Sequence, residues 1–173
     1  TTLIKKIIKK NNSGVMFTLV ACDDEFISKN ADKILGIKHY DFNDPAKLFA
    51  GVRKCLAAGK DAHVDLRATE ENINNLFQFL NLFKSSIKLF ETSLTLSCRF
   101  GQKYNSRLID RFSSFTKRVN FTFSDESYDV SSIFNLFYEN PEIKMSYISE
   151  GESIPDDLVL ASKGYIVEKV FNV

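Results

Sequence analysis

The sequence predicts an α/β fold: a mostly parallel central sheet covered by helices on both faces, in three layers. Two observations predict it and a third bounds it. Apolar runs of strand length alternate with amphipathic stretches of helix length along the chain, and parallel strands need long crossovers that helices usually fill. Gly14, Gly36, Gly59 and the Asn43-Asp44-Pro45 step fall between those stretches, where helices stop or start. The chain has 173 residues, 44% hydrophobic and 26% charged, a globular composition and the size of one domain spanning residues 1–173. No Pro/Gly-rich linker, low-complexity tract or fixed-period repeat divides it.

Leu3, Ile4, Ile7 and Ile8 share one face of a first helix, with Lys5, Lys6, Lys9 and Lys10 expected on its solvated face. Asn11-Asn12-Ser13-Gly14 stops that helix, and Val15–Ala21 reads as a buried strand ending at Cys22-Asp23-Asp24. A helical pattern over Glu25–Leu35 closes at Gly36, before the short extended stretch Ile37–Phe42. Asp44 and Pro45 then open a helix over Ala46–Ala58. Asp61–Leu66 is a strand in which Val64 and Leu66 flank Asp65, and Thr69-Glu70-Glu71-Asn72 supplies the cap and acidic first turn of a helix through Phe83. Leu94–Phe100, Val119–Phe123 and Ile143–Ile148 are the later strands, separated by helices over Ser106–Phe115 and Val130–Tyr138. A last helix is expected over Asp156–Ser162, with Tyr165–Val170 either an edge strand or a tail helix. Sixteen Phe and no Trp place the aromatic packing on Phe. Leu76–Phe90 is richer in apolar residues than one helical face needs, as suits a helix covered on two sides or a partner surface.

Lys+Arg 23 against Asp+Glu 22 leaves a net charge of +1, so the whole chain has no electrostatic field for nucleic acid or an anionic membrane. Three cysteines, Cys22, Cys55 and Cys98, are too few and too widely spaced for a disulfide framework or a metal knuckle, which points to a reduced, cytoplasmic protein. No apolar run reaches the length of a membrane span. His39 and His63 stand without Cys or carboxylate partners at ligand spacing, and no Gly-x-Ser-x-Gly elbow marks a nucleophile.

In open parallel sheets, ligands settle beyond the carboxyl ends of the strands. Three carboxylate groups stand there: Asp23 with Asp24, Asp65, and Ser124-Asp125-Glu126. A strand-tip Asp caps the next helix in the bland case, and in the functional case holds Mg²⁺ directly or through its waters, since that hard ion wants oxygen.

Thr1-Thr2-Leu3-Ile4-Lys5-Lys6-Ile7-Ile8 resembles the stretch just after the Gly-Lys of a phosphate-binding P-loop. Ile37–Pro45 and Gly59–Ala68 resemble the corresponding regions of ParA/MinD-type ATPases, nearest to the StbB- and TraL-like members linked to plasmid stability and conjugation. The resemblance implies a P-loop NTPase-like domain that binds ATP and Mg²⁺ and couples binding and hydrolysis to homodimerisation in plasmid partition or conjugative DNA transfer. It makes Thr1 the hydroxyl that ligates Mg²⁺ and Thr2 the one that contacts the α-phosphate. Asp65 takes the place of the Walker B carboxylate behind the metal, and Asp23 or Asp24 that of the carboxylate orienting the attacking water. Ser124 and Asp125 fall near where the family places an adenine-recognising Asn, and Arg99, Lys103, Arg107 and Arg111 would contact DNA phosphates non-specifically.

The pattern departs from the family in three places, the first being that the base-binding Asn does not stand where the family has it. No Gly-rich loop precedes Thr1, so either a strand and loop stand upstream of it or the fold has lost them together with catalysis. Arg67 replaces the Pro that often comes after the Walker B Asp-Leu. The second expectation is therefore a non-catalytic α/β interaction domain that binds a protein or DNA partner. A third is a receiver-like acidic Mg²⁺ pocket of Asp23, Asp24 and Asp65.

Overall fold

The computed structural model describes residues 2–19, 36–67, 73–126, 131–151 and 153–171. The expected helix over Glu25–Leu35, the carboxylates Asp23 and Asp24, Cys22, Thr1 and the Thr69–Asn72 cap lie outside the described residues. The chain divides into two compact units, Thr1–Phe90 and Glu91–Val173. Parallel-dominated sheets flanked by helices make it α/β.

In the first unit, helix α1 (Thr2–Asn11) leads to β1 (Val15–Leu19), followed by β2 (His39–Phe42), α2 (Pro45–Ala57), β3 (Ala62–Leu66) and α3 (Ile73–Ser86). The sheet order is β2-β1-β3 with both pairings parallel. Because side chains alternate across a strand, one face carries Phe17, Tyr40 and Val64 in one row and Leu19, Phe42 and Leu66 in the next. That face packs on Leu48, Val52 and Cys55 of α2 and on Phe79 and Phe83 of α3. Phe79 and Phe83 of the Phe-rich segment are thus core, with Leu82 and Leu89 exposed. The opposite face carries Met16, which packs with Ile4 and Ile8 of α1 and with Ile37.

α1 ends where Asn12 and Gly14 take positive φ, 49° and 106°. A Cβ on Gly14 would stand 2.5 Å from the His63 ring, so both backbone and space demand glycine there. The expectation that Lys5 and Lys6 lie on a solvated face is corrected: they are 3% and 0% exposed, while Lys9 and Lys10 face solvent. Long aliphatic stems can be covered when the ammonium finds a partner, and both lysines are partnered. α2 begins as the sequence predicts, with Asp44 Oδ1 accepting from Ala46 N at 2.7 Å and Pro45 in the first turn.

The second unit runs β4 (Leu94–Ser97), α4 (Gln102–Phe112), β5 (Arg118–Thr122), α5 (Ser131–Glu139), β6 (Lys144–Ser149), β7 (Leu158–Leu160) and α6 (Lys163–Phe171). The order is β4-β5-β6-β7, parallel except for the antiparallel β6–β7 pair. Leu96, Val119, Phe121 and Ile148 of the sheet close a core with Ile109, Ile133, Leu136 and Ile166 of the helices.

Two boundaries are corrected. β4 stops at Ser97, and α4 starts at Gln102 rather than Ser106, because Asn105 Nδ2 donates to the carbonyls of Ser97 and Phe100 and pins the turn to the helix. The expected helix over Asp156–Ser162 is instead the strand β7. Glu150 N donates to Asp157 O, Ser153 N donates to Asp157 Oδ2, and the tight turn lays Leu158–Leu160 against β6. The tail option that holds is the helix, α6.

Candidate functional site

Thr18 of β1 is in register with Asp41 of β2 and with Asp65 of β3. Each is the last residue but one of its strand. Registered residues of parallel strands point to the same face, so Asp41, Thr18 and Asp65 form one oxygen-bearing row at the carboxyl ends of the sheet, on the face that Met16 shares with α1. His39 and His63 flank Met16 one row back. Asp41 and Asp65 are both engaged by partners.

His39 is almost closed off, its side chain 2% exposed. Its Nε2 lies 2.6 Å from Thr18 Oγ1 and 3.1 Å from Asp41 Oδ1. Both oxygens meet the same ring nitrogen, whereas a nucleophilic triad needs the hydroxyl on one nitrogen and the carboxylate on the other. The trio therefore braces β2 against β1. Sequence reasoning passed over this contact; the signal was the His39-x-Asp41 alternation, which puts both side chains on one face of a strand. His63 Nε2 is buried without a hydrogen-bond partner, and burial lowers its pKa below the usual imidazole value, against the opposing charge of Asp61.

In the second unit, Ser124 and Asp125 follow the carboxyl end of β5. Ser124 donates through both its backbone N–H and its Oγ to the Ser149 carbonyl at the end of β6, at 3.4 and 3.3 Å. Phe123 before them takes φ 60°, an uncommon conformation for a bulky residue. The Arg99 guanidinium lies 3.8 Å from the Phe123 ring centre, and its Nε donates to Glu126 Oε2 at 2.7 Å. Cys98 beside them is no nucleophile: burial, and then the charge of Asp125, pushes its thiol up to about 12.

Of the residues singled out from sequence, Thr2 opens α1 and is exposed, and Asp65 stands in the row at the strand ends of the first unit. Ser124 and Asp125 come together in the second unit. Arg99, Lys103, Arg107 and Arg111 stand after β4 and along α4, whereas Lys117 and Arg118 lie at the start of β5, at the other end of the strands. There they pair with Glu142 and Glu91 at 3.4 Å. Among the described residues no three His, Cys, Asp or Glu side chains gather as a metal site, and no helix is long and apolar enough to cross a membrane.

No protein-family model matches the sequence, and no curated protein matches it significantly. Solved structures match its fold. FlhF complexed with GTP and Mg²⁺ superposes with a TM-score of 0.81 at 18% identity, covering 98% of this chain and 68% of that one. The signal recognition particle receptor FtsY from Elizabethkingia anophelis, in complex with GDP, gives 0.76 at 18% identity over 99% and 60% of the two chains. Chloroplast FtsY from Physcomitrella patens gives 0.79 at 13% identity over 98% and 59%. The chain thus spans roughly three fifths of the FtsY chains it matches. The likeness shows the P-loop NTPase fold.

Proposed function

We propose that the chain is a nucleotide-binding domain of P-loop NTPase type that takes a purine nucleoside triphosphate with Mg²⁺, GTP in preference to ATP. The observation that carries this reading is the row Asp41-Thr18-Asp65 at the carboxyl ends of a parallel sheet, in a chain that matches FlhF, solved with GTP and Mg²⁺, over 98% of its length. The donor set fits the ion: Asp65 offers a hard carboxylate oxygen and Thr1 a hydroxyl, and Mg²⁺ keeps several waters while taking one or two protein oxygens beside phosphate. When bound, the ion supplies charge neutralisation on the phosphates.

Asp65 is assigned to accept hydrogen bonds from the water shell of the metal. Thr2 stands at the N-terminus of α1, where unpaired backbone N–H groups and the helix dipole favour the α-phosphate. Thr1 is assigned as the hydroxyl ligand, and Asp23 or Asp24 as the carboxylate that orients the attacking water. The ParA/MinD resemblance adds a finer reading, in which hydrolysis of the nucleotide is coupled to homodimerisation during plasmid partition or conjugative transfer. The nucleotides named with FlhF and FtsY support guanine over the adenine of that reading.

Thermal unfolding of the full-length protein tests the assignment. GTP is expected to raise the midpoint only when Mg²⁺ is present, and Asp65→Ala to abolish the Mg²⁺-dependent part while leaving the nucleotide-free midpoint within a few degrees. A midpoint indifferent to nucleotide and Mg²⁺ would overturn it in favour of the non-catalytic interaction domain.

A further inference from the structure

We propose that the second unit carries a stacking surface for single-stranded nucleic acid, formed by Phe100, Tyr104 and Phe123 together with Arg99, Lys103 and Arg107. Three aromatic rings stand out of one short stretch of surface: Phe100 is 52%, Tyr104 50% and Phe123 39% exposed. Water-exposed rings of this size are unfavourable unless something covers them. They are also held in place. Phe100, just before α4, and Tyr104, in the first turn of α4, stand with ring centres 4.8 Å apart. Phe123 is fixed by the Arg99 guanidinium across its ring, and Glu126 holds that guanidinium from the side.

Phe123 occupies a positive-φ conformation that is unfavourable for a bulky non-glycine residue. Its ring remains partly in solvent, so core packing does not account for it. A planar guanidinium layered on one ring, next to a second ring pair, presents π-faces and a cation side by side. Unpaired bases stack on such faces whatever their sequence. Lys103 and Arg107 stand exposed at i and i+4 on the helix that carries Tyr104. Neighbouring positions of this kind, about 5–6 Å apart at Cβ, suit the backbone phosphates of the same strand.

The rings decide the occupant. Cations alone would serve an acidic peptide or a duplex, but a duplex keeps its bases stacked inside and an acidic peptide has no use for a row of rings. Acidic residues limit the field: Asp110 follows Arg107 on α4, Asp125 lies beside Phe123, and Glu126 is engaged by Arg99. With a net charge of +1 the chain exerts little long-range pull. Stacking therefore carries most of the affinity and phosphate contacts little. Nothing in the patch reads a 2′-hydroxyl, so ribose and deoxyribose strands bind alike. The patch acts independently of nucleoside triphosphate, and the assay below contains neither GTP nor ATP.

Fluorescence anisotropy of labelled oligothymidylate and oligouridylate of about a dozen residues, titrated with the full-length protein, decides it. Both strands are expected to bind saturably, with Phe100→Ala and Tyr104→Ala each weakening binding roughly tenfold. Tyr104→Phe should bind as the unaltered protein does, and Lys103→Gln should reduce the salt slope by about 0.7. Circular dichroism checks the fold of each variant. Should an alanine variant unfold, Phe123→Leu, which keeps apolar bulk without a ring, replaces it. Absence of saturable binding, duplex bound as tightly as single strand, competition by poly-glutamate equal to that by oligonucleotide, or indifference to loss of the rings would each overturn the proposal.

Discussion

His63 shows how a single residue is constrained from several sides. Gly14 leaves no room for a Cβ beside its ring, its Nε2 has no partner, and burial disfavours the imidazolium. In the unfolded chain this histidine takes up a proton near pH 6.5; in the folded chain it does so only at lower pH. The unfolded state then binds more protons in that window, so stability is full above pH 6.5 and falls as the pH drops toward the folded value. Denaturant unfolding between pH 7.5 and pH 5 should show that loss, and His63→Gln should flatten it; a steeper acid loss in the variant would contradict the assignment. Asp65 was legible in the sequence because Val64 and Leu66 flank a lone carboxylate at the end of a strand. The burial of Lys5 and Lys6 was not, since a lysine reads as solvated until a tertiary neighbour covers it. The Arg99–Phe123 stack joins residues far apart in the chain, and neither spacing nor periodicity announces it.

At the level of elements, those with their own local signals are legible in the sequence. α2 is the clearest case: Asp44 at the cap, Pro45 in the first turn and Leu48, Val52 and Cys55 buried on one face are all visible as a pattern. Asp44→Ala should cost about 1 kcal/mol in urea unfolding and Asp44→Ser much less. Equal losses for the two would mean that the cap bonds to Ala46 and Lys47 do not stabilise the helix. β7 is the opposite case. Ile154-Pro155-Asp156-Asp157 looks like a helix start, yet the following Leu-Val-Leu pairs with β6 because an open sheet edge is available there. That pairing is a property of the tertiary structure, and it overrides a weak local preference. The early start of α4 has the same character, since the Asn105 bonds that fix it reach back to β4 and its turn.

For the molecule as a whole, the α/β alternation sufficed to give the fold class, because helices and strands are forced into layers by their apolar faces. The division into units at Phe90 and Glu91 left no trace in composition. The sequence placed Asp65 at a strand end, and the structure sets it there beside Thr18 and Asp41, which the sequence did not single out. The choice of nucleotide was less legible, since base recognition depends on a few polar atoms whose placement no spacing rule fixes. The most direct measurement is calorimetric titration of the full-length protein with GTP and with ATP, each in the presence of Mg²⁺. GTP is predicted to bind saturably and at least tenfold more tightly than ATP, a difference of about 1.4 kcal/mol. Tighter binding of ATP would contradict the proposed guanine preference, and no binding of either would contradict the proposed nucleotide binding itself.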